Sequence, residues 1–433
     1  MAMSLAFHII FAALGIGMPL LMAVAEGLYL RTGKTVYLDL SKRWSRGTAI
    51  LFAVGAVSGT VLSFELGLLW PGFMEKAGAI IGLPFSLEGF AFFTEAIFIG
   101  VYLYGWDRLA PRLHWLAGLI VVVSGIFSGV FVVTANAWMN APAGFKIVDG
   151  TITAIDPIKA MLNPASFHEV LHMTLAACVA TGFLVAAVHA FFLRRDRDNS
   201  FHRGALGIAL AVASLSIPLQ MLSGDFSARS VGRLQPAKLA AMEAHYRTQN
   251  GAPLLLGGVP NNETRTTEYA LRIPRGLSLL LADNPNARVI GLEEFPRGDW
   301  PNVRIVHWSF DLMVAAGMAM LALAVWSGWL WWQRRSLPDD PRLLGALVAA
   351  GPLGFIAIET GWIVTETGRQ PWIIYGVMRT ENALTPMPGI AVPFVIFTAL
   401  YIFLACIVFF LLRRQFVETA GTASETSRTS IHA

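Results

Sequence analysis

Long apolar stretches separated by short polar connections run through most of this chain. A membrane-spanning helix needs about 20 largely apolar residues in succession. Nine stretches meet that requirement, at about residues 5–30, 46–70, 86–106, 114–136, 167–193, 204–222, 303–333, 342–365 and 389–413. The pattern predicts an all-α integral membrane protein with nine transmembrane helices.

Two polar segments stand apart from the short connections. The segment from Ser223 to Asn302 is far longer than an ordinary loop, which favours a functional role for it. The Ser/Thr-rich tail after Arg414 has the composition of a disordered segment. The chain therefore divides into helices one to six (1–222), a long loop (223–302), helices seven to nine (303–414) and a disordered tail (415–433).

Composition excludes a soluble globule, because 55% of the residues are hydrophobic and only 14% are charged. The formal net charge is +4, but the basic residues cluster in the connections and give no hint of a nucleic-acid partner. Both cysteines, Cys178 and Cys406, lie inside apolar runs. They predict neither a disulfide framework nor a thiolate metal site.

The basic clusters also predict the orientation. They follow the first, fifth, seventh and ninth helices, at residues 31–46, 194–197, 334–335 and 413–414. Since cytoplasmic loops carry the excess of Lys and Arg, the N-terminus and the long loop are expected to face outward, and the C-terminus to be cytoplasmic.

Ionisable side chains gather near the predicted outer ends of the helices. Such groups are costly inside a bilayer and are functional candidates by default. The set comprises His8, Glu88, Glu95, His168, His172, His307, Asp311 and Glu366, with the thioether of Met313 beside them. Their convergence on one side predicts a functional site at the outward face.

Helical spacing groups some of these residues further. Glu88 and Glu95 are seven residues apart, so both carboxylates project from one face and are placed to relay protons. Glu359, Trp362 and Glu366 share a face of the eighth helix in the same way.

The segment His168-Glu169-Val170-Leu171-His172 matches H-E-x-x-H, the pattern of zinc proteases. No obvious third ligand completes a catalytic zinc site with three protein ligands. A competing use is one histidine as an axial haem ligand, with Met313 as its partner. Arg369 suits a haem propionate or a lipid headgroup equally. A haem-free ion transporter that uses Glu26, Glu65, Glu88 and Glu95 is a further alternative.

Several longer motifs resemble one family. They are ETGRQPW at 366–372, SLEGFAFFTEAIF at 86–98, GWDR at 105–108, NAWMNAPAG at 136–144 and QPAKLAAMEA at 235–244. In order and over nearly the whole chain, they are similar to subunit I of cytochrome bd-type quinol oxidases, in the form with a short loop. The resemblance implies nine spanning helices, three haems near the periplasmic face, a quinol-oxidising periplasmic loop and reduction of O2 to water.

The resemblance also implies ligands for the irons. His172 and Met313 match the axial ligands of a low-spin haem b, and Glu366 matches the ligand of a high-spin haem b. His8 matches the ligand of the third haem, which is haem d or a further haem b. Glu88 is its rival, because members of the family differ in how that iron is held.

Other positions match by motif alone. Glu95 and Ser128 fall on the expected proton path to the third haem, and Asn136 falls near that haem. Trp362 resembles an indole between haems, Arg369 a contact to propionates, and Lys238 and Glu243 positions implicated in quinol oxidation. Asp311 departs from the family, some members of which have Arg there.

The implied assembly is a respiratory oxidase of the bacterial cytoplasmic (inner) membrane. Its implied partners are subunit II, a small single-helix subunit, membrane quinol and O2, with no nucleic acid. Quinol would release protons outside while the protons for water come from the cytoplasm, which gives proton motive force without pumping. Lys238 and Glu243 are expected to lie in the polar outer loop, away from the residues that hold iron.

Overall fold

A computed structural model describes residues 1–337 and 339–429 of the chain. Within those residues, nine helical segments are long and apolar enough to cross a membrane. The first six spans are α1 (Ala2–Thr32), α2 (Thr35–Leu69), α3 (Pro71–Tyr104), α4 (Pro111–Asn140), α6 (Ser166–Leu193) and α7 (Ser200–Leu234), with a short α5 (Pro157–Met161) before α6. The expectation of nine transmembrane helices is confirmed.

The last three spans follow a polar segment that contains two short helices, α8 (Pro236–Met242) and α9 (Gly276–Ala282). The seventh span is α10 (Val303–Arg334). The eighth is made of two consecutive helices, α11 (Pro341–Ala350) and α12 (Leu353–Gly368), and the ninth is α13 (Ala391–Thr429). Pro352 lacks the backbone N–H that a continuous helix would need at the junction of α11 and α12.

Several helices are longer than the apolar runs predict. Helix α3 begins at Pro71 instead of near residue 86, and α2 begins at Thr35 instead of near residue 46. Helix α7 continues to Leu234, so the boundary placed at Ser223 is wrong and the polar segment begins at Gln235. Hydropathy detects only the part of a helix that suits lipid, whereas backbone hydrogen bonding continues beyond it.

The expected disordered tail is also corrected in part. Helix α13 continues through residue 415 to Thr429. Extending an existing helix adds one hydrogen bond for each residue fixed and needs no new nucleus. The rest of that predicted tail, residues 430–433, lies outside the described residues.

Short antiparallel ribbons fill the connections. In the polar segment, β3 (Gln249–Asn250) pairs with β8 (Arg288–Val289), β4 (Leu254–Leu256) with β7 (Leu271–Ile273), and β5 (Val259–Asn261) with β6 (Thr266–Glu268). Elsewhere β1 (Lys146–Val148) pairs with β2 (Thr151–Thr153), and β9 (Trp372–Ile374) with β10 (Met378–Arg379). The segment from Gln235 to Asn302 is therefore a folded cap, called the loop cap below.

Helices α1 and α6 lie at the centre of the bundle and are its most buried spans. Helix α1 packs against α2, α4 and α6, and α3 packs against α4. The loop cap covers one end of the bundle, where α4, α7 and α12 end and α10 begins. This end is called the loop end below, and the other is called the opposite end.

Candidate active site at the loop end

A carboxylate at the end of α12 has two fixed partners. Asn136 of α4 donates from Nδ2 to Oε1 of Glu366 at 2.6 Å, and Arg369 donates from Nη2 to Oε2 at 2.7 Å. Arg369 is buried, and its Nε and Nη1 have no hydrogen-bond partner within the described residues. The predicted residues Asn136, Glu366 and Arg369 thus meet in one cluster that retains unused donors.

Lys238 is buried beneath the loop cap, at 4% exposure. Its Nζ donates to the carbonyl oxygen of Thr365 at 3.1 Å and to Oδ1 of Asn140 at 3.3 Å. Asn140 also donates to Oε1 of Glu169 at 3.2 Å. Lys238 does not lie away from the helix-borne residues predicted to hold iron, because α8 folds back and packs the lysine stem against Gly368, two residues after Glu366.

Charge and burial compete at Lys238. Burial lowers the pKa of the Lys238 ammonium to about 8, and Arg369 adds to this effect, whereas the carboxylates of Glu169 and Glu366 oppose it. The charge of Lys238, which lies next to the Glu366 cluster, therefore depends on pH near neutrality.

His172 of α6 faces α7. Its Nδ1 lies 2.9 Å from Oγ of Ser223, and its Nε2 lies 3.1 Å from Nε2 of Gln220. His168 is buried, and neither of its ring nitrogens has a hydrogen-bond partner in the described part of the chain. No group of three or more His, Cys, Asp or Glu side chains arranged to hold a metal ion exists among the described residues. The zinc interpretation of His168, Glu169 and His172 thus lacks a third ligand.

Met313 of α10 lies against α12. A Cβ placed on Gly361 would come within 2.9 Å of the Met313 Sδ. One turn further along α10, a Cβ placed on Gly317 would be 2.9 Å from Cε of Met221 on α7, the helix whose Ser223 and Gln220 contact His172. The two predicted ligands, His172 on α6 and Met313 on α10, therefore lie on helices that both pack against α7.

His8 of α1 faces α2, with its Nδ1 2.9 Å from Oγ of Ser58. Glu88 of α3 accepts a hydrogen bond of 3.4 Å from Oγ of Ser128 on α4. Glu95 is buried, and a Cβ on Gly125 of α4 would come within 3.3 Å of its Oε1. Ser128 thus lies beside Glu88, about two helical turns nearer the loop end than Glu95.

Glu243 follows α8 and is buried at 6% exposure. Burial, reinforced by the negative charge of Asp311, raises the pKa of its carboxyl to about 8. Glu243 thus lies in the polar segment between α7 and α10, where its side chain is buried. Asp311 accepts from the backbone N–H of Gly257 at 2.7 Å and so ties α10 to the loop cap.

A cavity of about 570 Å³ opens beside Asp311. Its lining includes Asp311, Trp308 and Thr360 from the helices and Gly257, Val259 and Tyr269 from the loop cap. Tyr269 and Trp308 are exposed at 92% and 53%. Aromatic walls around one carboxylate suit a planar ligand with a polar edge.

Buried polar atoms without partners concentrate at the loop end. Besides those of His168 and Arg369, they include Nε1 of Trp362 and Oε1 of Glu359 within the described residues. Such atoms are rare in folded proteins unless another group satisfies them. A large apolar cofactor that carries carboxylates would use the free guanidinium donors, so the donor set fits haem.

Four contributors to this site carry no role in the sequence-based prediction: Asn140, Gln220, Ser223 and Thr365. Polar residues at positions 220 and 223, one turn apart in an apolar helix, are a signal that could have identified a partner for a histidine. The backbone carbonyl of Thr365 has no such signal.

The chain is similar to known proteins over nearly its whole length. The sequence model described as cytochrome bd terminal oxidase subunit I matches residues 1–420. The chain is 39% identical over 420 residues to a Bacillus subtilis (strain 168) protein named, provisionally, as a cytochrome bd menaquinol oxidase subunit I, covering 95% of this chain and 94% of the relative. It is 28% identical over 451 residues to the cytochrome bd-II ubiquinol oxidase subunit 1 of Escherichia coli (strain K12), covering 88% of each. The bd oxidase structure from Geobacillus thermodenitrificans superposes with a TM-score of 0.89 at 39% identity, covering 96% of each chain.

Proposed function

The chain belongs to the cytochrome bd terminal oxidase subunit I family, and from that premise we propose how its residues share the work of a quinol oxidase that reduces O2. Quinol would be oxidised beneath the loop cap, haems held at the loop end would supply the electron transfer, and protons for water would arrive from the opposite end. The loop end is periplasmic and the opposite end is cytoplasmic, so turnover separates charge without a pump.

Three sets of side chains hold the haems in this proposal. His172 and Met313 hold a low-spin haem b, and Glu366 holds a high-spin haem b. His8 holds the third haem, which is haem d or a further haem b, with Glu88 as the rival ligand. Bound haem supplies one-electron transfer and the binding of O2 at an open iron position.

The observation that carries the proposal is the buried guanidinium of Arg369. One nitrogen fixes the Glu366 carboxylate at 2.7 Å, and two more point into buried space without a partner in the described chain. A haem propionate could accept hydrogen bonds from these two guanidinium nitrogens. Asn136 orients the other Glu366 oxygen, and Trp362, four residues before Glu366 on α12, would contribute its indole beside the haems.

Quinol oxidation needs a base near the loop cap. Glu243 is suited to that role because its pKa of about 8 lets the carboxylate take a quinol proton near neutrality. Lys238 would contribute a positive charge beside Glu366, where the high-spin haem b would be held. The buried lysine links the loop cap to α12 through the Thr365 carbonyl.

Protons for water formation move along α3. Glu95 receives them from the opposite end and passes them to Glu88, whose carboxylate is held by Ser128. Seven residues of helix separate the two carboxylates, which is about 10.5 Å. Proton transfer between Glu95 and Glu88 therefore requires water molecules to bridge that distance.

The assembled enzyme places this subunit beside subunit II in the bacterial inner membrane, with a small single-helix subunit as a further partner. Large apolar side chains exposed along α3 and α13, such as Phe93 and Phe394 at 66% and 63%, offer surfaces for these helices and for lipid. Quinol diffuses to the loop cap from the same bilayer.

One spectrum tests the proposal. The purified, dithionite-reduced protein should show haem absorption bands in the visible region, and carbon monoxide should shift those of the O2-binding haem. A protein that binds stoichiometric zinc and shows no visible bands would instead favour the metalloprotease of His168, Glu169 and His172. Absence of both would favour the haem-free ion transporter.

A further inference from the structure

A second buried polar cluster lies at the opposite end of the bundle, where four helices meet. The Glu26 carboxylate of α1 accepts from the Tyr102 hydroxyl of α3 at 2.6 Å and lies 2.7 Å from Nδ1 of His114 on α4. Ser41 of α2 shares a hydrogen bond of 2.7 Å with the Tyr102 hydroxyl. All four side chains are at most 3% exposed. No role in the loop-end chemistry described above uses them.

The geometry fixes how many protons this cluster holds. Nε2 of His114 lies 2.9 Å from the carbonyl oxygen of Tyr102, which can only accept, so Nε2 carries a hydrogen. A second hydrogen must lie between Nδ1 and the Glu26 oxygen at 2.7 Å. The pair is therefore either an imidazolium with a carboxylate or a neutral imidazole with a carboxylic acid. Both forms hold one exchangeable proton at zero net charge, the state least costly to bury.

The cluster lies close to the end of the bundle. Tyr102 is two residues before the end of α3, and His114 is three residues after the start of α4. The Trp106 ring covers His114, with ring centroids 4.0 Å apart, and the Lys42 ammonium lies 5.4 Å from the Trp106 centroid. One indole therefore separates His114 from the basic surface at this end.

The same cluster lies in line with the carboxylates of α3. Tyr102, Glu95 and Glu88 follow one another at intervals of seven residues and so share one helix face. Helix α4 has two glycines with the same seven-residue spacing, Gly118 and Gly125, which face Tyr102 and Glu95. A Cβ on Gly118 would come within 2.7 Å of the Tyr102 ring, and a Cβ on Gly125 within 3.3 Å of Glu95 Oε1. The two glycines of α4 thus leave space for the titratable side chains of Tyr102 and Glu95, which lie about two turns apart on α3.

We propose that Glu26, His114 and Tyr102 form a proton-loading site at the opposite end of the bundle, which supplies Glu95. The inference rests on the proposed function, since it names the source of the protons that Glu95 passes on. The site takes a proton from the solvent at that end. The Tyr102 hydroxyl then gives its proton toward Glu95 through water and regains one from the Glu26–His114 pair. Only O–H and N–H bonds form and break, and no electron moves within the site.

The test compares Glu26→Gln, Tyr102→Phe and a matched control in the purified oxidase with its partner subunit, reconstituted into liposomes. Ser124→Ala is the control, because Ser124 is a buried α4 hydroxyl whose hydrogen bonds within the described chain go to backbone carbonyls alone. Oxygen consumption with a short-chain quinol measures turnover. The infrared difference between the reduced and oxidised protein, recorded without turnover, reports whether the Glu26–His114 pair changes protonation.

Both network variants should lower oxygen consumption at least about tenfold, as expected for loss of a proton-transfer group, while quinol still reduces the low-spin haem at the wild-type rate. Glu26→Gln should also remove a carboxyl or imidazole band from the infrared difference, which Ser124→Ala should keep. If Glu26→Gln does not assemble, Tyr102→Phe decides, since it keeps the Glu26–His114 pair.

Turnover within about twofold of wild type and an unchanged infrared difference in the assembled variants would make the cluster a structural connection between helices and overturn the inference. Failure of the proposed function looks different. In that case the wild-type protein itself would lack haem bands or quinol oxidation.

Discussion

A methyl group at position 361 should displace the Met313 sulfur without unfolding the chain. A Cβ on Gly361 would lie 2.9 Å from Sδ, whereas non-bonded heavy atoms pack best at about 3.5–4.0 Å. The sulfur must therefore retreat by about 0.6–1.1 Å. Metal–ligand distances are defined to within about 0.2 Å, so the retreat is several times larger than an iron–sulfur bond tolerates.

We expect Gly361→Ala to change the visible bands of the low-spin haem b and to lower its midpoint potential. Thioether ligation raises the potential of a His-ligated haem, and a tenfold weakening of that preference corresponds to about 59 mV for one electron. A redox titration followed by visible absorption measures both quantities. Folding stability should not fall, because Ala is favoured over Gly inside a helix by about 0.5–1 kcal/mol and the thioether can move.

Gly328→Ala is the matched control. Gly328 lies on the same helix as Met313, and a Cβ there would meet no atom of the described residues within 4 Å. This variant should keep the wild-type bands and potential. If Gly361→Ala also kept them at normal haem content, the assignment of Met313 to the iron would be refuted.

Three further predictions concern the loop end and its proton supply. Met313→Leu should keep the fold but abolish the low-spin haem b spectrum, because Leu is similar in volume and has no lone pair for iron; His168→Ala should spare that spectrum, and the reverse result would exchange the two histidines. The Glu243 pKa of about 8 means that its carboxyl is mostly protonated below pH 8 and ionised above it, so kcat/KM for quinol should rise with pH through about 8 and lose that rise in Glu243→Gln with normal haem content and CO binding. Glu95→Gln should lower oxygen consumption sharply while quinol still reduces haem b, and Glu95→Asp should retain part of the activity; near-wild-type consumption by Glu95→Gln would make Glu95 a structural residue.

The apolar runs predict the nine spans because a bilayer requires each of them to be apolar over its whole width. They do not predict where helices end. Residues 35–45 of α2 include Asp39, Lys42 and Arg43, and residues 71–85 of α3 include Glu75 and Lys76 together with several Gly and Pro residues, so the sequence pattern assigns both stretches to connections. Their helical state comes from continuation of the backbone hydrogen bonds of the span.

The site residues also differ in whether local sequence or distant contacts determine their positions. Glu366 and Arg369 are three residues apart in one motif, so local spacing is enough to make them neighbours, and the structure joins them by an ion pair. Lys238 is misplaced because its polarity favours solvent, and only contacts with Asn140 and Thr365, distant in sequence, bury it. Glu26 and His114 are 88 residues apart. No local pattern indicates that they share a proton.

The contact between Lys238 and Thr365 also constrains how the protein is made. The two residues are 127 positions apart, and synthesis at about 5–20 residues per second leaves Lys238 without its carbonyl partner for about 6–25 seconds. During that interval the ammonium is better hydrated outside the bilayer than buried in an incomplete bundle. Closure of the loop cap is therefore a late step of biogenesis, and it waits for α12 to be inserted.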